Sequence, residues 1–473
     1  MVYTDEQLEI INSQEDCLDI KAGPGTGKTT LAIGYAKLRP MNRILYVVYT
    51  DASKQHARKL FPNNTTVHSA HSLAYEHIGV AYSDKIVNSI KVTDIIENIE
   101  ELSTLKDKEK AHEQAHTTLL ILNSFLQSAL VDFTDLGFSG DEVIWAEKIF
   151  SKMIDETSDM KITQDAVLKL FELMEVTLDY DTMIVDERQD MNPVTASFVS
   201  RFKGQVVLIG DTDQTIFGFR GSRGLIHGRK SKKLTLTHSF RFGDHVALTA
   251  NILLQVYKQR KDYTLVGDGE DEFWNFTEDD KEKYTYIART NSHIIEKSLE
   301  LVKTGKKVYI NGGFDNIIKD SLDAYYLYIG EYDNIKSKYM KGFKNYYSYK
   351  GLGKSTNDPE INYSVQLIEK FQLEFLRVIE TIRASTLNHP QNADVILTSA
   401  HKSKGLEWDN VKIANDYPTI FNKIGTPLKT VEQEEINILF VAVTRARYKL
   451  DRNLELRQLF QFLESDNPVQ LLK

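Results

Sequence analysis

A glycine-rich segment near the start of the chain constrains its fold most. Residues 22–30 read Ala-Gly-Pro-Gly-Thr-Gly-Lys-Thr-Thr, after the apolar residues Cys17, Leu18 and Ile20 and before a helical run. Glycines let consecutive backbone N–H groups turn towards an anion, and the next helix adds the positive end of its dipole. The segment therefore predicts a phosphate-binding loop between a strand and a helix.

Each residue type in this loop suits a nucleoside triphosphate. Lys28 supplies a mobile charge for the outer phosphates, and Thr29 offers a hydroxyl to Mg²⁺. The strict pattern has glycine at the position of Ala22, so a strand-turn-helix without a ligand is the alternative. The predicted nucleotide-binding residues of the loop are Gly23, Gly25, Thr26, Gly27, Lys28, Thr29 and Thr30.

Length and composition restrict the class of protein. A chain of 473 residues is too long for one core and should form two or more domains. No apolar run approaches a membrane span and the N-terminus lacks the regions of a signal peptide, which predicts a cytoplasmic protein without a membrane partner. The single cysteine excludes an intramolecular disulfide. A net charge of −9 still allows nucleic acid, because phosphate affinity depends on local basic surface.

Short apolar runs alternate with helical stretches along the chain, which predicts an α/β fold with parallel sheets. The runs form one cluster before about residue 215 and another after about residue 230; they are 42–50, 182–185, 205–209, 284–288, 308–311, 395–398 and 411–414. Two insertions interrupt these clusters. The first is helical, with Ala115, Leu119, Leu122, Leu126 and Leu130 on one face, and the second is rich in tyrosine and lysine.

Two acidic residues follow the apolar run 182–185. Asp186 and Glu187 would lie at the end of a parallel strand, where open sheets of this kind place their ligands. Asp186 can hold a Mg²⁺ ion, and Glu187 can orient and deprotonate a water molecule. A solvated acidic turn is the alternative, and the phosphate loop makes it much the weaker one.

A further strand leads into the segment 210–221. Its Gln214 could reach the γ-phosphate from the edge of the sheet. Phe217, Phe219 and Arg220 follow among glycines, and exposed rings beside an arginine suit stacking on unpaired bases. The alternative is that the phenylalanines belong to the core.

Several further segments of the chain match known sequence motifs, and they occur in the known order. They are Thr4-Asp5-Glu6-Gln7, Tyr49-Thr50, residues 68–71 (His-Ser-Ala-His), 238–241 (His-Ser-Phe-Arg), 398–407 (Thr-Ser-Ala-His-Lys-Ser-Lys-Gly-Leu-Glu) and 434–447. With the loop and the acidic pair, the chain resembles the UvrD/Rep-type helicases of superfamily 1A over almost its whole length. That resemblance implies an ATP- and Mg²⁺-dependent motor on single-stranded DNA and duplex junctions, moving 3′ to 5′.

The resemblance also implies roles for single residues. Gln7 would read adenine, Phe240 would stack on it, and Gly405 and Glu407 would line the ribose and phosphate side. Arg241 and Arg445 would contact the γ-phosphate from a second domain, with ATP between the two domains. The implied DNA contacts are Tyr49, Thr50, His71, Thr398 and His401.

By the same resemblance the chain has two RecA-like parallel-sheet domains. Domain 1A takes 1–75 and 179–228, with a helical 1B insertion at 76–178. Domain 2A takes 229–318 and 393–473, with a reduced 2B insertion at 319–392. Residues 161–173 and 237–243 look most like the F-box DNA helicase branch, without its F-box. The small insertion implies a compact helicase of viral or bacterial origin, or a nuclear one if it is eukaryotic.

Four residues depart from the family pattern. The family usually has Ala, Tyr, Trp and Phe where this chain has Arg188, Phe217, Phe219 and Trp408. The aromatic changes keep a stacking face. Arg188 could pair with Asp190 or compete for Glu187, and it puts the catalytic rate in question rather than ATP binding.

Two basic segments remain. In the second insertion, lysines and aromatic residues alternate between 336 and 354 without an acidic residue, which suits a groove for phosphates and bases. A solvated lysine face with tyrosines packed inward is the equally weighted alternative. Residues 229–233 (Arg-Lys-Ser-Lys-Lys) read as an exposed linker.

Three functions fit this sequence. The first is a DNA-unwinding motor, the second a DNA-binding regulator that ATP switches, and the third a motor that strips proteins from DNA and unwinds poorly.

Overall fold

A computed structural model describes residues 2–216, 229–260, 263–277, 282–356, 358–422, 427–428 and 431–466. The chain divides into two compact units. Unit 1 comprises Met1–Gly23 and Gly27–Leu236, and unit 2 comprises Pro24–Thr26 and Thr237–Lys473.

Unit 1 is built on a six-stranded parallel sheet with the strand order β3-β2-β6-β7-β1-β8. Its strands, with a separate pair β4 and β5, are β1 Cys17–Ala22, β2 Ile44–Val48, β3 Thr65–Ser69, β4 Ile86–Val87, β5 Ile162–Thr163, β6 Thr182–Val185, β7 Gln205–Gly210 and β8 Lys232–Leu236. Its helices are α1 Asp5–Asn12, α2 Lys28–Lys37, α3 Asp51–Leu60, α4 Ala70–His77, α5 Val92–Asn98, α6 Glu100–Ser103, α7 Lys108–Gln127, α8 Asp141–Ile154, α9 Gln164–Leu173 and α10 Pro193–Arg201.

The central strands of this sheet carry its core. Strands β2 and β6 are buried along their whole length, as expected for parallel strands covered on both faces. Ile20, Tyr46, Ile184 and Ile209 pack with residues of α1 and α2 in one apolar cluster. The carboxyl ends of β1, β6 and β7 therefore lie side by side, and they present the residues that follow each strand at one edge.

Unit 1 has a run of helices between two strands of its sheet. Helices α5 to α9 lie between β3 and β6, and α7 and α8 pack against each other. Ala115, Leu122 and Leu126 are buried on α7, whereas Leu119 is half-buried and Leu130 lies beyond the end of the helix. Buried Lys169 on α9 donates to the Ser128 and Leu130 carbonyls at 3.0 and 2.6 Å and to Glu172 at 3.0 Å.

Unit 2 has a second six-stranded parallel sheet, in the order β11-β16-β15-β12-β14-β13. Its strands, with β9 and β10 forming a separate pair, are β9 His238–Ser239, β10 Val266–Gly267, β11 Glu272–Phe273, β12 Tyr284–Ala288, β13 Val308–Ile310, β14 Val395–Ser399, β15 Trp408–Ile413 and β16 Ala446–Asp451. Its helices are α11 Asp244–Lys258, α12 Asn291–Lys303, α13 Phe314–Ile329, α14 Lys338–Lys341, α15 Tyr346–Thr356, α16 Pro359–Phe371, α17 Phe375–Ser385, α18 Ala400–Ser403, α19 Gln433–Val443 and α20 Leu454–Asp466.

The two parallel sheets confirm the predicted α/β class. The bounds of the parts differ from the prediction at two places. Strand β8 pairs with β1 and so belongs to the unit 1 sheet, beyond the predicted domain end at 228. Helix α13 begins at Phe314 and crosses the predicted insertion start at 319.

The same strand shows that the prediction of an exposed linker at residues 229–233 is wrong. Lys232 and Lys233 lie in β8, and Arg229 donates to the Gly204 carbonyl at 3.0 Å. The basic segment is therefore part of a strand and its approach rather than an exposed linker, although both lysines of the strand remain exposed.

Candidate nucleotide site and strand-contacting residues

The glycine-rich loop has the backbone geometry that its sequence predicts. Strand β1 ends at Ala22 and α2 begins at Lys28. Gly25 and Gly27 have φ values of 76° and 78°, in the left-handed region that side chains disfavour. Gly27 is the N-cap of α2, so the loop leads directly into a helix N-terminus, an end that favours an anion.

The Lys28 amine lies close to both the glycine-rich loop and the acidic pair. Its Nζ donates to the carbonyls of Ala22 at 3.1 Å and Gly23 at 3.4 Å. The same atom is 3.8 Å from Glu187 Oε1. The structure thus brings together the loop lysine and the candidate general base within unit 1.

Asp186 lies at the end of β6, next to the loop helix. Its Oδ2 accepts a hydrogen bond of 2.6 Å from the Tyr46 hydroxyl, and its Oδ1 accepts one of 2.9 Å from the Glu187 N–H. The Thr29 side chain lies close enough to the Tyr46 hydroxyl to lower its pKa, against the larger effect of burial. Asp186 and Thr29, the two side chains assigned to Mg²⁺, therefore lie near one hydroxyl.

Burial, followed by the Glu187 carboxylate, raises the pKa of Asp186 to about 6, while the Tyr46 hydrogen bond and Lys28 act in the opposite direction. A carboxylate that is costly to ionise gains from a cation beside it. Oxygen donors of a carboxylate and a hydroxyl are also the ligands that Mg²⁺ prefers. The donor set therefore fits the predicted cation, which would be held by Asp186 and Thr29.

Glu187 has an unusual backbone and a firm side-chain support. Its φ of 49° lies in the left-handed region, which is uncommon for a residue other than glycine and is found most often at functional sites. Buried Gln189 donates its amide to Glu187 Oε2, and its own Oε1 accepts the Asp211 N–H at 2.9 Å. Gln189 thus links the ends of β6 and β7 and orients the carboxylate.

Gly210 makes this link possible. A Cβ at this position would lie 2.2 Å from Gln189 Oε1 and 2.9 Å from the Arg188 backbone nitrogen. Such distances are shorter than any real contact, so a larger residue would displace the segment that carries Glu187. Sequence analysis did not single out Gln189 or Gly210, although both lie inside the motifs that it quoted.

Gln214 lies at the predicted edge but is engaged there. Its Nε2 donates to Asp211 Oδ2 at 2.9 Å, and both side chains are buried. Asp213 is also buried and pairs with Lys21 at 2.9 Å. Burial, followed by the Asp213 carboxylate, raises the pKa of Asp211, while Lys28 lowers it. Contact of Gln214 with a γ-phosphate stays a prediction.

Arg188 contacts a carboxylate that sequence analysis did not weigh. Its Nε lies 2.7 Å from Oδ1 of Asp19, a residue in the middle of β1. The guanidinium is therefore drawn towards the strand that precedes the loop. Pairing with Asp190 and competition for Glu187 stay predictions.

Gln7 occupies a structural position on α1. It is the third residue of a capping box, in which its N–H donates to Thr4 Oγ1 and its Oε1 accepts the Thr4 N–H, each at 3.2 Å. The side chain is buried. The box accounts for a glutamine at this position without a nucleotide, and recognition of adenine stays a prediction.

Within unit 2, the predicted nucleotide residues cluster around Arg241. Its Nε lies 2.7 Å from Glu407 Oε2, and its NH1 donates to the Thr444 carbonyl at 3.1 Å. Phe240, beside it, is 54% exposed, as a ring that stacks on a ligand must be. Gly405 has a φ of 82° in the turn between α18 and β15.

Arg445 is adjacent to this group but almost fully buried. Its Nε donates to the Val441 carbonyl at 2.9 Å, its NH1 to Leu406 at 3.2 Å and its NH2 to Thr444 at 3.1 Å. These bonds tie α19 to the turn before β15. Contact with a γ-phosphate would require Arg445 to exchange some of them, so that role stays a prediction.

The predicted DNA contacts of unit 1 follow strands β2 and β3 in the chain. Tyr49 is exposed, and Thr50 caps α3 by accepting the Ser53 N–H at 3.1 Å. His71 Nε2 lies 2.7 Å from Asp165 Oδ1 at the start of α9. A cleft of about 330 Å³ opens beside them, lined by Asp51, Lys54, Ser69, His71, Ser72, Tyr75, Ser83, Ile86, Gln164 and Val167.

The predicted DNA contacts of unit 2 lie at the carboxyl end of β14. Thr398 is buried, and its Oγ1 accepts a hydrogen bond of 3.2 Å from Asn311, which also donates to the Lys402 carbonyl. His401 is half-buried on α18. Asn311 precedes Gly312 and Gly313, both with positive φ. Sequence analysis missed Asn311, whose position after β13 was the available signal.

Phe217, Phe219 and Arg220 lie outside the described residues. The aromatic residues of the small insertion are described, and most of them pack inward. Phe343, Tyr346 and Tyr349 are buried, whereas Tyr347 is 79% exposed. Burial raises the pKa of Tyr346 and Tyr349 well above the usual range of tyrosine. The buried rings favour the solvated lysine face over a groove in which all the rings meet bases.

No helix in the described ranges is long and apolar enough to cross a membrane.

An AAA domain family model matches residues 7–220. The F-box DNA helicase protein 1 of Schizosaccharomyces pombe is 28% identical over 97% of this chain, and F-box DNA helicase 1 of Gallus gallus is 27% identical over 94%. The chain spans 58% and 48% of these relatives' lengths. In its motif order, its P-loop sheet and these similarities, the chain resembles the superfamily 1 DNA helicases of the F-box DNA helicase branch.

Proposed function

We propose that this chain is an ATP-dependent DNA helicase that hydrolyses ATP while moving on single-stranded DNA and separates duplexes in the 3′ to 5′ direction. The observation that carries the proposal is the arrangement around Glu187, where Lys28, Asp186 and Gln189 converge at the end of β6. The names of the two relatives support DNA as the substrate. Direction and unwinding rest on the resemblance in motifs.

Different residues of unit 1 have different roles in ATP binding and hydrolysis. The loop N–H groups and Lys28 bind the phosphates, and Glu187 orients and deprotonates the attacking water. A Mg²⁺ ion held by Asp186 and Thr29 would neutralise charge on the terminal phosphates. Gln189 holds the Glu187 carboxylate in one orientation, which keeps the base aligned. Arg241 and Arg445 stay candidate ligands of the γ-phosphate.

Glu187→Gln tests the assignment of the base. The substitution keeps the side-chain shape but removes the proton acceptor, so we expect DNA-stimulated phosphate release to fall about 10³-fold, within the usual range for a general base. Nucleotide affinity should stay within threefold of the parent. Phosphate release and binding of a fluorescent ADP, each with and without single-stranded DNA, measure the two effects.

Glu175→Gln is the matched control for this experiment. Glu175 is an exposed glutamate of the same unit whose φ of 50° matches that of Glu187. Its substitution should leave hydrolysis unchanged. Turnover near the parental value in Glu187→Gln would refute the base assignment.

A second candidate function is a regulator whose grip on DNA is switched by ATP. The buried hydrogen bonds of Arg445 favour the regulator. An arginine that must first break hydrogen bonds within its own unit would reach a γ-phosphate slowly, and ATP hydrolysis would be slow as a result. ATP-dependent retention on DNA with negligible steady-state phosphate release would support the regulator. Unwinding of duplexes with a 3′ or a 5′ tail, together with a protein-displacement assay on the same preparation, would separate the helicase from a motor that strips proteins from DNA and unwinds poorly.

A further inference from the structure

The Tyr46 hydroxyl contacts the carboxylate that is assigned to the cation. It donates to Asp186 Oδ2 at 2.6 Å. Sequence analysis placed Tyr46 in a buried strand and gave it no role. We propose that Tyr46 is a positioning residue for the divalent cation, which sets the orientation of the Asp186 carboxylate. This inference rests on the proposed function.

The ring of Tyr46 is fixed in place by the fold. It lies on β2, between β3 and β6 in the sheet, and only 1% of the residue is exposed. It packs against the Phe61 ring, with centroids 4.3 Å apart. A side chain held in this way brings its hydroxyl to one point at the carboxyl end of the sheet, and it has little freedom to follow a moving ligand.

The Asp186 carboxylate is fixed at both oxygens as a result. Tyr46 donates to Oδ2, and the Glu187 N–H donates to Oδ1 at 2.9 Å. Each oxygen keeps a further lone pair. The two hydrogen bonds fix the plane of the carboxylate, and so they fix the direction of these lone pairs. Without the tyrosine hydroxyl, the carboxylate could rotate about its last bond while the backbone hydrogen bond remained.

The expected effect is specific to the metal. Hydrogen bonds from outside the first ligand shell orient metal ligands, and their loss typically lowers metal affinity by about 10- to 100-fold. The glycine loop and Lys28 hold the phosphates through other atoms, so nucleotide affinity in the absence of metal should not depend on Tyr46. If Tyr46 served only packing, loss of its hydroxyl would change neither the metal affinity nor the affinity for metal-free nucleotide.

Tyr46→Phe tests the proposal, because it removes the hydroxyl and keeps the ring on Phe61. With the full chain and ADP, titration with Mn²⁺ followed by electron paramagnetic resonance should show metal affinity about 10- to 100-fold lower than in the parent. Affinity for metal-free ADP should stay within threefold, which also reports that the loop is folded. Parental Mn²⁺ affinity in this variant would overturn the proposal.

Tyr35→Phe is the matched control. Tyr35 is equally buried in the same unit, on α2, where its ring faces the Arg39 guanidinium at 3.6 Å. Loss of its hydroxyl should leave Mn²⁺ affinity unchanged. Replacement of Tyr46 by 4-aminophenylalanine keeps a donor at the same point and should restore Mn²⁺ affinity to within threefold of the parent. Failure to restore it would also overturn the proposal.

Asp186→Asn separates this inference from the proposed function. If Asp186→Asn loses Mn²⁺ and Tyr46→Phe keeps it, the metal assignment stands and the role of Tyr46 is refuted. If both variants bind Mn²⁺ as the parent does, the assignment of the metal to Asp186 fails, and the role of Tyr46 fails with it.

Discussion

At the scale of single residues, long-range partners decide what the acidic motif can do. Arg188 follows Glu187 in sequence, yet its guanidinium pairs with Asp19 on β1. The guanidinium therefore has a carboxylate partner outside the acidic motif. The departure from the family pattern at this position brings a contact between β1 and the end of β6.

Arg188→Ala should leave catalysis nearly intact and lower stability. We expect turnover within threefold of the parent, and a loss of about 3 kcal/mol in the free energy of unfolding, because the pair is largely buried and Asp19 would lose its cation. A double-mutant cycle with Asp19→Asn in urea unfolding measures the coupling. A rise in turnover of tenfold or more in Arg188→Ala would instead indicate that the arginine restrains Glu187.

The sequence was sufficient to predict Lys28, Asp186 and Glu187, because each belongs to a local pattern whose spacing carries the chemistry. Tyr46 and the Asp19 partner of Arg188 could not be found this way. Their roles depend on where the fold places β1 and β2 relative to the end of β6, and both strands are far from β6 in the chain. Tyr46 looks like any other apolar residue of a buried strand.

At the scale of elements, a buried ion pair holds the helical insertion to the sheet of unit 1. Lys169 is fully buried and contacts Glu172, whose carboxylate also accepts hydrogen bonds from Ser197 at 2.7 Å and Arg201 at 3.1 Å on α10. Burial lowers the pKa of Lys169, and its bond to Glu172 raises it. The network joins α9 to α10 where the chain leaves the insertion.

Lys169→Met should destabilise unit 1 by about 3 kcal/mol, because it leaves the buried Glu172 with one cation fewer. The fluorescence of Trp145, buried on α8, can follow urea unfolding of this unit. Lys148→Met, which removes an exposed lysine of α8 in the same insertion, is the control and should cost less than about 0.5 kcal/mol. A loss below about 1 kcal/mol in Lys169→Met would contradict the prediction.

Strand prediction succeeded where periodicity is plain. The bounds of β6 and β12 match the predicted runs, since both strands are buried throughout and contain few polar residues. Strand β8 was missed because Lys232, Lys233 and Thr235 are polar and only Leu236 is buried. Its place is set by pairing with β1 at the sheet edge, which no local pattern reports.

At the scale of the whole molecule, charge is unevenly distributed. The chain carries a net charge of −9, yet Lys341 and Lys344 are exposed in the small insertion, beside the exposed ring of Tyr347. Lys350 of the same insertion pairs with Glu369. An overall acidic protein can thus bind nucleic acid through a limited basic surface.

If Lys341 and Lys344 contact phosphates, each substitution by alanine should reduce the magnitude of the salt slope of single-stranded DNA binding by about 0.7. Lys350→Ala is the control, because its amine is already paired, and it should leave the slope unchanged. Fluorescence anisotropy across a range of salt concentrations gives the slopes. Unchanged slopes in all three variants would favour a lysine face that is merely solvated.

The solitary cysteine has a practical consequence for experiments on motion. Cys17 is buried in β1, and burial raises the pKa of its thiol, so it should react slowly with maleimides. A cysteine introduced on the surface can therefore carry a dye without removal of the native thiol. Pairs of such labels, one in each unit, would let single-molecule energy transfer follow the protein through a round of nucleotide turnover.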